Sequence, residues 1–345
     1  MSNITTGSVV RVGIDLAKNV FALHGVDERG RVVLSKTVSR VRLAQTVMQL
    51  PSCVIGMEAC SGAHAWAREF RAAGYTVQLI APKFVTPYRK SGKNDSNDAE
   101  AICEAVGRPN MRFVPVKSVE QQCVIALHRM RQGYVEERTA LVNRIRAVLT
   151  ELGTTVPVGA DSVRRQALVL AESLPELVRG GIAQMRAHLT VLDGLIADLD
   201  RQLTGMARQS EPATRLMTIR GIGPITALAI VASVGDAREF KNGRQFAAWL
   251  GLTPRQHSSG GKTRLGRITR HGDRYLRMLL VLGARAALNW AAHHDDRLSA
   301  WARSVHARRG YGKAVVAIAA KNARIAWALL RSGTRFAAQP LPVSV

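Results

Sequence analysis

The stretch VVRVGIDLA, residues 9–17, sets the fold of the first part of the chain. It is a run of mostly branched apolar residues that reaches an acidic one, Asp15, which is the pattern of a buried strand arriving at the surface. The segments that follow read in turn as strand, turn, strand, strand, helix and strand: VFALHGV, DERG, RVVLSKTV, CVIGMEA, GAHAWAREFRAAG and YTVQLIA. Three strands with short links, followed by alternating strands and helices, predict an α/β domain with a mixed sheet covered by helices.

The rest of the chain is predicted to be helical. Apolar residues recur at helical spacing over 118–152 and 185–209, which predicts a helical hairpin or short coiled coil. Between them, DSVRRQALVLAESL predicts a shorter helix capped by Asp161, and a third, helical unit runs from Glu211 to about Gly333. The predicted domains are residues 1–115, 116–210 and 211–335, followed by a frayed tail over 336–345. Five tryptophans in apolar helical contexts are predicted to be core residues and not base-stacking platforms: Trp66, Trp249, Trp290, Trp301 and Trp327.

The charge of the chain is strongly positive. Its 345 residues include 49 Lys and Arg against 25 Asp and Glu, a formal net charge of +24. Such a charge indicates a polyanionic partner, with nucleic acid as the first candidate and a membrane surface as the second. The longest apolar runs fall well short of the roughly 20 residues of a spanning helix. The N-terminal MSNITTGSVVRVGIDL lacks the features of a secretory signal. We therefore expect a cytoplasmic protein that does not enter a membrane.

Four carboxylates form a candidate metal site. Asp15 and Glu58 each end an apolar strand, and Asp95 and Asp98 lie three residues apart at the start of the predicted helix DSNDAEAICEAVG. Taken singly, each has an ordinary explanation as a turn residue, a helix cap or a first-turn acid, with Asp95 as the cap. Together, four carboxylates at one place would repel one another unless cations neutralised them. Such ligands suit Mg²⁺ or Mn²⁺, and two ions about 4 Å apart can catalyse phosphoryl transfer.

Two glycine-containing segments in the last third are candidate nucleic-acid contacts. In GIGPIT, residues 221–226, Gly221 and Gly223 could let backbone N–H groups approach a phosphate, although a plain turn between packed helices explains the pattern equally well. In SSGGK, residues 258–262, a serine stands beside Lys262, Arg264 and Arg267. That serine could contact a phosphate or act as a nucleophile, whereas most serines in such loops are only solvated.

The order of these segments carries a family resemblance. The acidic strand ends and the later helix with its acidic pair resemble an RNase H-like fold of the RuvC type. From about Val10 to Phe336 the chain closely resembles the DEDD-type insertion-sequence transposases of the family numbered one-ten. The segments that carry this resemblance, in chain order, are GIDLAK, GMEACSG, KNDSNDAE, IRGIGPITALAI and FAAWLGLTPRQHSSGGKTRLGRITRHGDRYLR.

The resemblance implies a function that composition and spacing do not give. It implies a RuvC-like domain, a coiled-coil middle and a C-terminal transposase domain with a nucleophilic serine. The family pattern places that serine on Ser259, five residues after Pro254, and Ser258 is an additional neighbour. It also implies Mg²⁺ (or Mn²⁺) at Asp15, Glu58, Asp95 and Asp98, a bridge RNA that pairs with donor and target DNA, and a homo-oligomer, dimer or tetramer. The acidic set and the serine would meet by docking of two domains, within one subunit or between subunits, in a bacterial cytoplasm and on the nucleoid.

Two other functions compete with a recombinase that forms a phosphoserine–DNA link. One is a RuvC-like, metal-dependent junction nuclease that uses water and forms no covalent intermediate. The other is a noncatalytic nucleic-acid-binding protein whose carboxylates merely cap elements. The acidic set argues against the binding protein, and the serine-bearing C-terminal region argues against the simple nuclease.

Overall fold

A computed structural model describes residues 9–90, 92 and 94–340. The expectations that concern residues 1–8, Ser91, Lys93 and the last part of the predicted tail, 341–345, lie outside the described residues. The chain divides into two compact units, Met1–Val119 and Glu120–Val345. Across the described ranges, no helix is both long enough and apolar enough to span a bilayer.

The first unit contains a mixed sheet, as the sequence predicts, and the sheet has six strands. Its strands are β1 (Arg11–Leu16), β2 (Val20–Val26), β3 (Val32–Ser39), β4 (Val54–Glu58), β5 (Thr76–Ile80) and β6 (Phe113–Val114), in the order β3-β2-β1-β4-β5-β6. The β1-β2-β3 meander is antiparallel, β1, β4 and β5 are parallel, and β6 is antiparallel to β5. The chain passes between the parallel strands through segments that contain helices, because parallel strands cannot be joined by a tight turn.

Helices cover the two faces of this sheet. They are α1 (Arg40–Met48), α2 (Ala63–Ala72), α3 (Pro82–Val85) and α4 (Asp95–Val106). Leu43 of α1 and Phe70 of α2 pack in one core with Ile14 and Ile55 of the sheet. The opposite face of β1 and β4 is covered by α4, as the contacts of two glycines described below establish. The sequence did not predict α1, which follows β3 directly, or the two-residue strand β6.

The second unit begins with three helices that share a core. They are α5 (Val119–Glu151), α6 (Ala160–Ala171) and α7 (Glu176–Gln209). Ile145 of α5, Val163 of α6 and Leu189 of α7 are buried together. The helix α7 starts nine residues before the predicted 185. Asp161 does not cap α6, because the residue before the helix is Gly159, which provides no side-chain cap; Asp161 lies in the first turn and pairs with Arg164.

The remainder of the second unit is a helical body with one β-hairpin. Its elements are α8 (Glu211–Leu216), α9 (Pro224–Val234), α10 (Gly243–Trp249), β7 (Pro254–Gln256), β8 (Leu265–Ile268), α11 (Arg274–Asn289), α12 (Arg297–Arg309) and α13 (Tyr311–Ser332). Val124 of α5 and Leu203 of α7 join the core of this body, so the regions 116–210 and 211–335 pack in one compact unit. A separate domain boundary near 210 remains a prediction.

The predicted frayed tail is wrong for its first residues. The Phe336 N–H donates to Thr218 Oγ1 over 3.0 Å, and the Arg297 N–H donates to the Gln339 carbonyl over 3.0 Å. Pro340 forms an isolated bridge with Asp296. Backbone hydrogen bonds and the packing of Phe336 on the core therefore hold this segment against the helical body.

Candidate active site

Two of the predicted carboxylates end neighbouring strands. The last registered pair of parallel β1 and β4 is Ile14 with Met57, so Asp15 and Glu58 are the next residues at the same edge of the sheet. Both are half-buried. Burial raises the pKa of the nearby Cys60 thiol, and the negative charges of Glu58 and Asp15 raise that pKa further. Both carboxylates therefore lie near this thiol, as the strand register requires.

Two glycines place these carboxylates on the face that α4 covers. A Cβ built on Gly13 would come within 3.0 Å of backbone atoms of Ala99 and Cys103, and one built on Gly56 would lie 2.9 Å from Val106 Cβ. The strand backbone thus touches α4 directly, which only glycine permits. Because residues i and i+2 of a strand point to the same face, Asp15 and Glu58 point to the side of α4.

The direction of α4 brings its acidic end toward the same edge. Cys103 Sγ lies 3.8 Å from the Arg11 carbonyl oxygen, and a Cβ on Gly107 would lie 2.7 Å from Arg11 Cζ. The C-terminal end of α4 is therefore at the start of β1, and its N-terminal turn, with Asp95 and Asp98, points toward the end of β1. The four predicted residues share one face and one edge of the sheet. Their side chains are not assembled as ligands, since within the described ranges no three His, Cys, Asp or Glu side chains are grouped closely enough to hold a metal.

The start of α4 corrects one prediction. The N-cap is Asn94, whose side-chain oxygen accepts a hydrogen bond of 2.7 Å from the Asn97 N–H. Asp95 is the first helical residue and is exposed, so it is not the cap that the sequence predicted. An Asn cap satisfies the helix end, and the capping explanation for Asp95 is thereby removed.

Asp98 is buried beside an arginine that sequence reasoning did not select. Its side chain is 12% exposed, and Arg89 Nε lies 2.5 Å from its Oδ1. The separation is that of an ion pair, yet the angle is not that of a hydrogen bond, and both atoms lack hydrogen-bond partners in the part of the chain that the structure describes. We regard the contact as electrostatic only. Burying two charges is costly unless good hydrogen bonds compensate, so a cation that took the place of Arg89 could serve as the counter-charge of the buried Asp98 carboxylate.

The serine segment forms the tip of an exposed hairpin. Strands β7 and β8 are antiparallel, and the Lys262 N–H donates to the Ser259 carbonyl over 3.0 Å. Gly260 and Gly261 have φ of 54° and 76°, the positive values that a two-residue type I′ turn needs. The sequence predicted a polar loop here; the Gly-Gly dipeptide was the signal that could have identified a hairpin.

The hairpin distinguishes the two neighbouring serines. Ser258 Oγ accepts hydrogen bonds from Gln256 Nε2 at 2.9 Å and from the Arg264 N–H at 3.3 Å, so this hydroxyl stabilises the hairpin. Ser259 is exposed, and its hydroxyl makes no hydrogen bond to any residue that the structure describes. Lys262, Arg264 and Arg267 are exposed on the same hairpin. Ser259 and these basic residues belong to the second unit, and the four carboxylates belong to the first.

The two glycines of GIGPIT have different surroundings. Gly221 has φ of +88°, and a Cβ there would collide with the Gly283 carbonyl on α11. Close packing between a turn and a helix explains this glycine without a ligand. Gly223 is exposed at the N-cap of α9, with open space where a Cβ would be. A phosphate contact at this turn stays a prediction, and Gly223 is the residue placed to make it.

Models of known protein families match both the sheet domain with its carboxylates and the region that contains the serine hairpin. A family model described as Transposase, for DEDD transposases of the IS110 type, matches residues 12–154. A second, described as Transposase IS116/IS110/IS902 family, matches residues 213–299. The first match spans nearly all of the sheet, the four carboxylates and the whole of α5, and the second spans the hairpin.

Several bacterial proteins resemble nearly the whole chain. A probable family 20 transposase of Pseudomonas aeruginosa is 48% identical over 332 residues, which are 94% of this chain and 97% of the relative. The transposase for insertion sequence element IS1111A of Coxiella burnetii is 44% identical over 92% of this chain and 89% of its own length. The transposase for insertion sequence element IS1328 of Yersinia enterocolitica is 40% identical over 95% and 99%. Identity at this level, along the same order of elements, means that the chain belongs to the IS116/IS110/IS902 family of DEDD transposases, enzymes of DNA phosphoryl transfer.

Proposed function

We propose that this transposase excises and inserts its own insertion sequence through metal-dependent strand exchange with a covalent phosphoserine–DNA intermediate, guided by a structured bridge RNA. One observation supports the chemistry most directly. Asp15 and Glu58 end adjacent parallel strands on the face covered by α4, and the acidic first turn of α4 points toward the same edge. Two relatives are transposases for named insertion sequence elements, which supports transposition of such an element.

The carboxylate set fits a divalent cation by its donor chemistry. DEDD transposase domains usually depend on such an ion, and Asp15, Glu58, Asp95 and Asp98 offer only hard oxygen donors, which suit Mg²⁺ or Mn²⁺. At Asp98 the cation would replace the Arg89 guanidinium as the counter-charge of a buried carboxylate. A cation bound there would neutralise charge on the oxygens of the phosphoryl group. The role of the protein is to hold the four carboxylates on rigid elements, at two strand ends and one helix start.

Ser259 is the proposed nucleophile. Its Oγ forms a bond to phosphorus, the P–O bond to one deoxyribose oxygen breaks, the serine proton passes to water or a base, and the leaving oxygen takes up a proton. Attack by a deoxyribose hydroxyl on the phosphoserine then restores a phosphodiester and releases the serine. Each step replaces one phosphate ester by another, so the exchange needs no nucleotide cofactor. Lys262, Arg264 and Arg267 on the same hairpin would offset charge at the phosphate.

The net charge supports the proposed RNA partner as well as the DNA. A formal charge of +24 suits a protein that holds DNA and RNA together, because both partners are polyanions. If guidance by RNA is correct, protein treated with ribonuclease will lose sequence-specific recombination and regain it when the copurified RNA is restored. Undiminished specific recombination by ribonuclease-treated protein would remove the guide from the proposal.

The nucleophile is tested by trapping its DNA adduct. Protein purified with its RNA is incubated with labelled DNA and Mg²⁺ and separated on a denaturing gel. We expect an adduct with the unmodified protein and with Ser258→Ala, and none with Ser259→Ala, which still binds nucleic acid. Ser258→Ala is the matched control, because it removes the adjacent hydroxyl that the hairpin itself uses. An adduct that persists in Ser259→Ala would move the role to another residue, and DNA cleavage with no adduct would favour the junction nuclease.

A further inference from the structure

Trp290 departs from the core position that the sequence predicted for it. The other four tryptophans are half-buried and pack against the hydrophobic cores: Trp66, Trp249, Trp301 and Trp327. Trp290 is 62% exposed and belongs to no hydrophobic cluster of the described residues. Leaving so large an apolar surface in water is unfavourable, and an exposed tryptophan is a common mark of a binding site.

The Trp290 ring is accessible to solvent, and its backbone is held at the end of α11. Trp290 is the C-cap of α11, and its N–H bonds to the Ala286 carbonyl. Leu282, Ala286 and Trp290 follow one another at i, i+4 spacing along an exposed face of α11. Ala286 is too small to cover the indole. The His293 ring packs 5.3 Å from it at 54°.

The short turn that follows Trp290 is fixed by an arginine. Arg303 Nη1 donates to the carbonyls of Ala291 and His294, the second over 2.9 Å. These bonds hold the backbone on both sides of His293. An aromatic ring that is already positioned loses little conformational entropy on binding.

The charge of this part of the chain identifies the partner. Between residues 251 and 340 there are 17 Lys and Arg, three Asp and no Glu. One of those aspartates, Asp296, is buried and paired with Arg220. A second copy of the chain would bring another +24 charge to this positive surface and be repelled. A partner that is polyanionic and also offers flat apolar groups is a nucleic acid with unpaired bases.

We infer that Trp290 is a stacking platform for an unpaired base of a nucleic acid bound along α11. The exposed Arg285 of the same helix supplies a phosphate contact. This inference rests on the part of the proposed function in which the transposase handles nucleic acid. It does not depend on the carboxylates or on Ser259, so it can be tested without metal and without catalysis.

The test compares ligands with and without bases. The full chain in EDTA is titrated with a fluorescent oligomer of about 20 thymidines, longer than the roughly 4–16-nucleotide footprint of known stacking folds, and with an abasic oligomer of equal length and charge. We expect tighter binding of the thymidine oligomer. Trp290→Ala should weaken it roughly 5- to 150-fold, the range measured for base stacking on aromatic side chains, and should leave abasic binding nearly unchanged. A uridine oligomer run in parallel shows whether RNA or DNA is preferred.

Three controls separate stacking from other effects. Trp290→Phe keeps a ring and should retain most of the affinity, whereas Leu177→Ala, at an apolar side chain 94% exposed on α7, should change nothing. The salt dependence of binding should be unchanged in Trp290→Ala and should fall by about one counterion in Arg285→Gln. Equal loss for base-bearing and abasic oligomers, unchanged binding, or an effect confined to the oligomeric state in sedimentation would each overturn the inference. Failure here with an intact Ser259 adduct would leave the recombinase proposal standing.

Discussion

The acidic edge of the sheet and the serine hairpin position their candidate residues by opposite means. Asp15, Glu58 and Asp98 are held by buried elements that pack closely, backbone on backbone at Gly13 and helix side chains on strand backbone at Gly56. Ser259 stands at the tip of an exposed turn whose shape depends on two glycines with positive φ and with open space around them. The relative positions of the carboxylates therefore depend on the packing of the whole sheet domain. Geometry at the serine hairpin is set by a few consecutive residues.

The largest expected effect concerns the carboxylates themselves. Asp15→Asn or Asp98→Asn keeps the side-chain shape and removes a charged ligand, so strand exchange should fall by on the order of 10³-fold or more while nucleic-acid binding is retained. Recombination and binding would be assayed on the same preparations. Glu28→Gln, an exposed acid in the turn between β2 and β3, is the matched control and should be neutral. Normal strand exchange by Asp15→Asn would rule out a metal site at this edge.

A methyl group added between the sheet and α4 should affect stability more than one added at the hairpin. Gly13→Ala forces the two backbones apart, and we expect a loss of about 3 kcal/mol in the free energy of unfolding. Gly261→Ala strains only a positive φ and should cost about 1 kcal/mol. Urea unfolding measures both. Gly180→Ala, an exposed α7 position with nothing within 4 Å, is the control and should be neutral or stabilising. Equal costs at Gly13 and Gly261 would contradict the contrast between the two regions.

A further comparison separates Arg89 from its neighbour Lys90. Arg89→Gln leaves the buried Asp98 without its counter-charge and should lower stability by about 1–3 kcal/mol, since an unpaired buried charge is costly. Added Mn²⁺ should restore more stability in this variant than in the unmodified protein, because the cation would no longer compete with a guanidinium for Asp98. Thermal unfolding with and without Mn²⁺ tests this.

Lys90→Gln is the matched control for that experiment. Lys90 pairs with Glu100 at 2.7 Å, but its side chain is mostly exposed, so its removal should change stability by less than about 1 kcal/mol. An identical Mn²⁺ response in Arg89→Gln, Lys90→Gln and the unmodified protein would show that Arg89 does not compete for the cation site.

The elements that the sequence predicted well are those with strong periodicity and clear boundaries. VFALHGV coincides with β2, and the helix predicted from Asp95 ends at Gly107, which is the C-cap of α4. The misses share a physical reason. The helix α1 follows β3 without a connecting turn, and its N-cap Ser39 is also the last residue of that strand, while β7 and β8 are too short to show alternation. Local patterns cannot reveal which of several polar neighbours takes a role, which is why Asn94, and not Asp95, caps α4.

Side-chain partners across the fold were also beyond prediction. The pairing of Arg89 with Asp98 depends on how the connector after β5 returns to α4, and sequence spacing carries no information about that path. Trp290 lies in a run that is apolar on average, yet its position at the end of α11 turns it outward. Carboxylates at strand ends were easier, because the parallel order of β1 and β4 places any two such ends together.

The close contacts of Gly13 and Gly56 with α4 fix the position of this helix along the two strands. The helix packs on β1 through its backbone and on β4 through side chains, so its position along the sheet does not depend on the segment that leads into it. The connector between β5 and α4 can then gain or lose residues by insertion and deletion at small entropic cost while the spacing of the acidic residues stays the same. Evolution or protein engineering can for this reason change the length of this connector without changing the relative positions of the acidic residues.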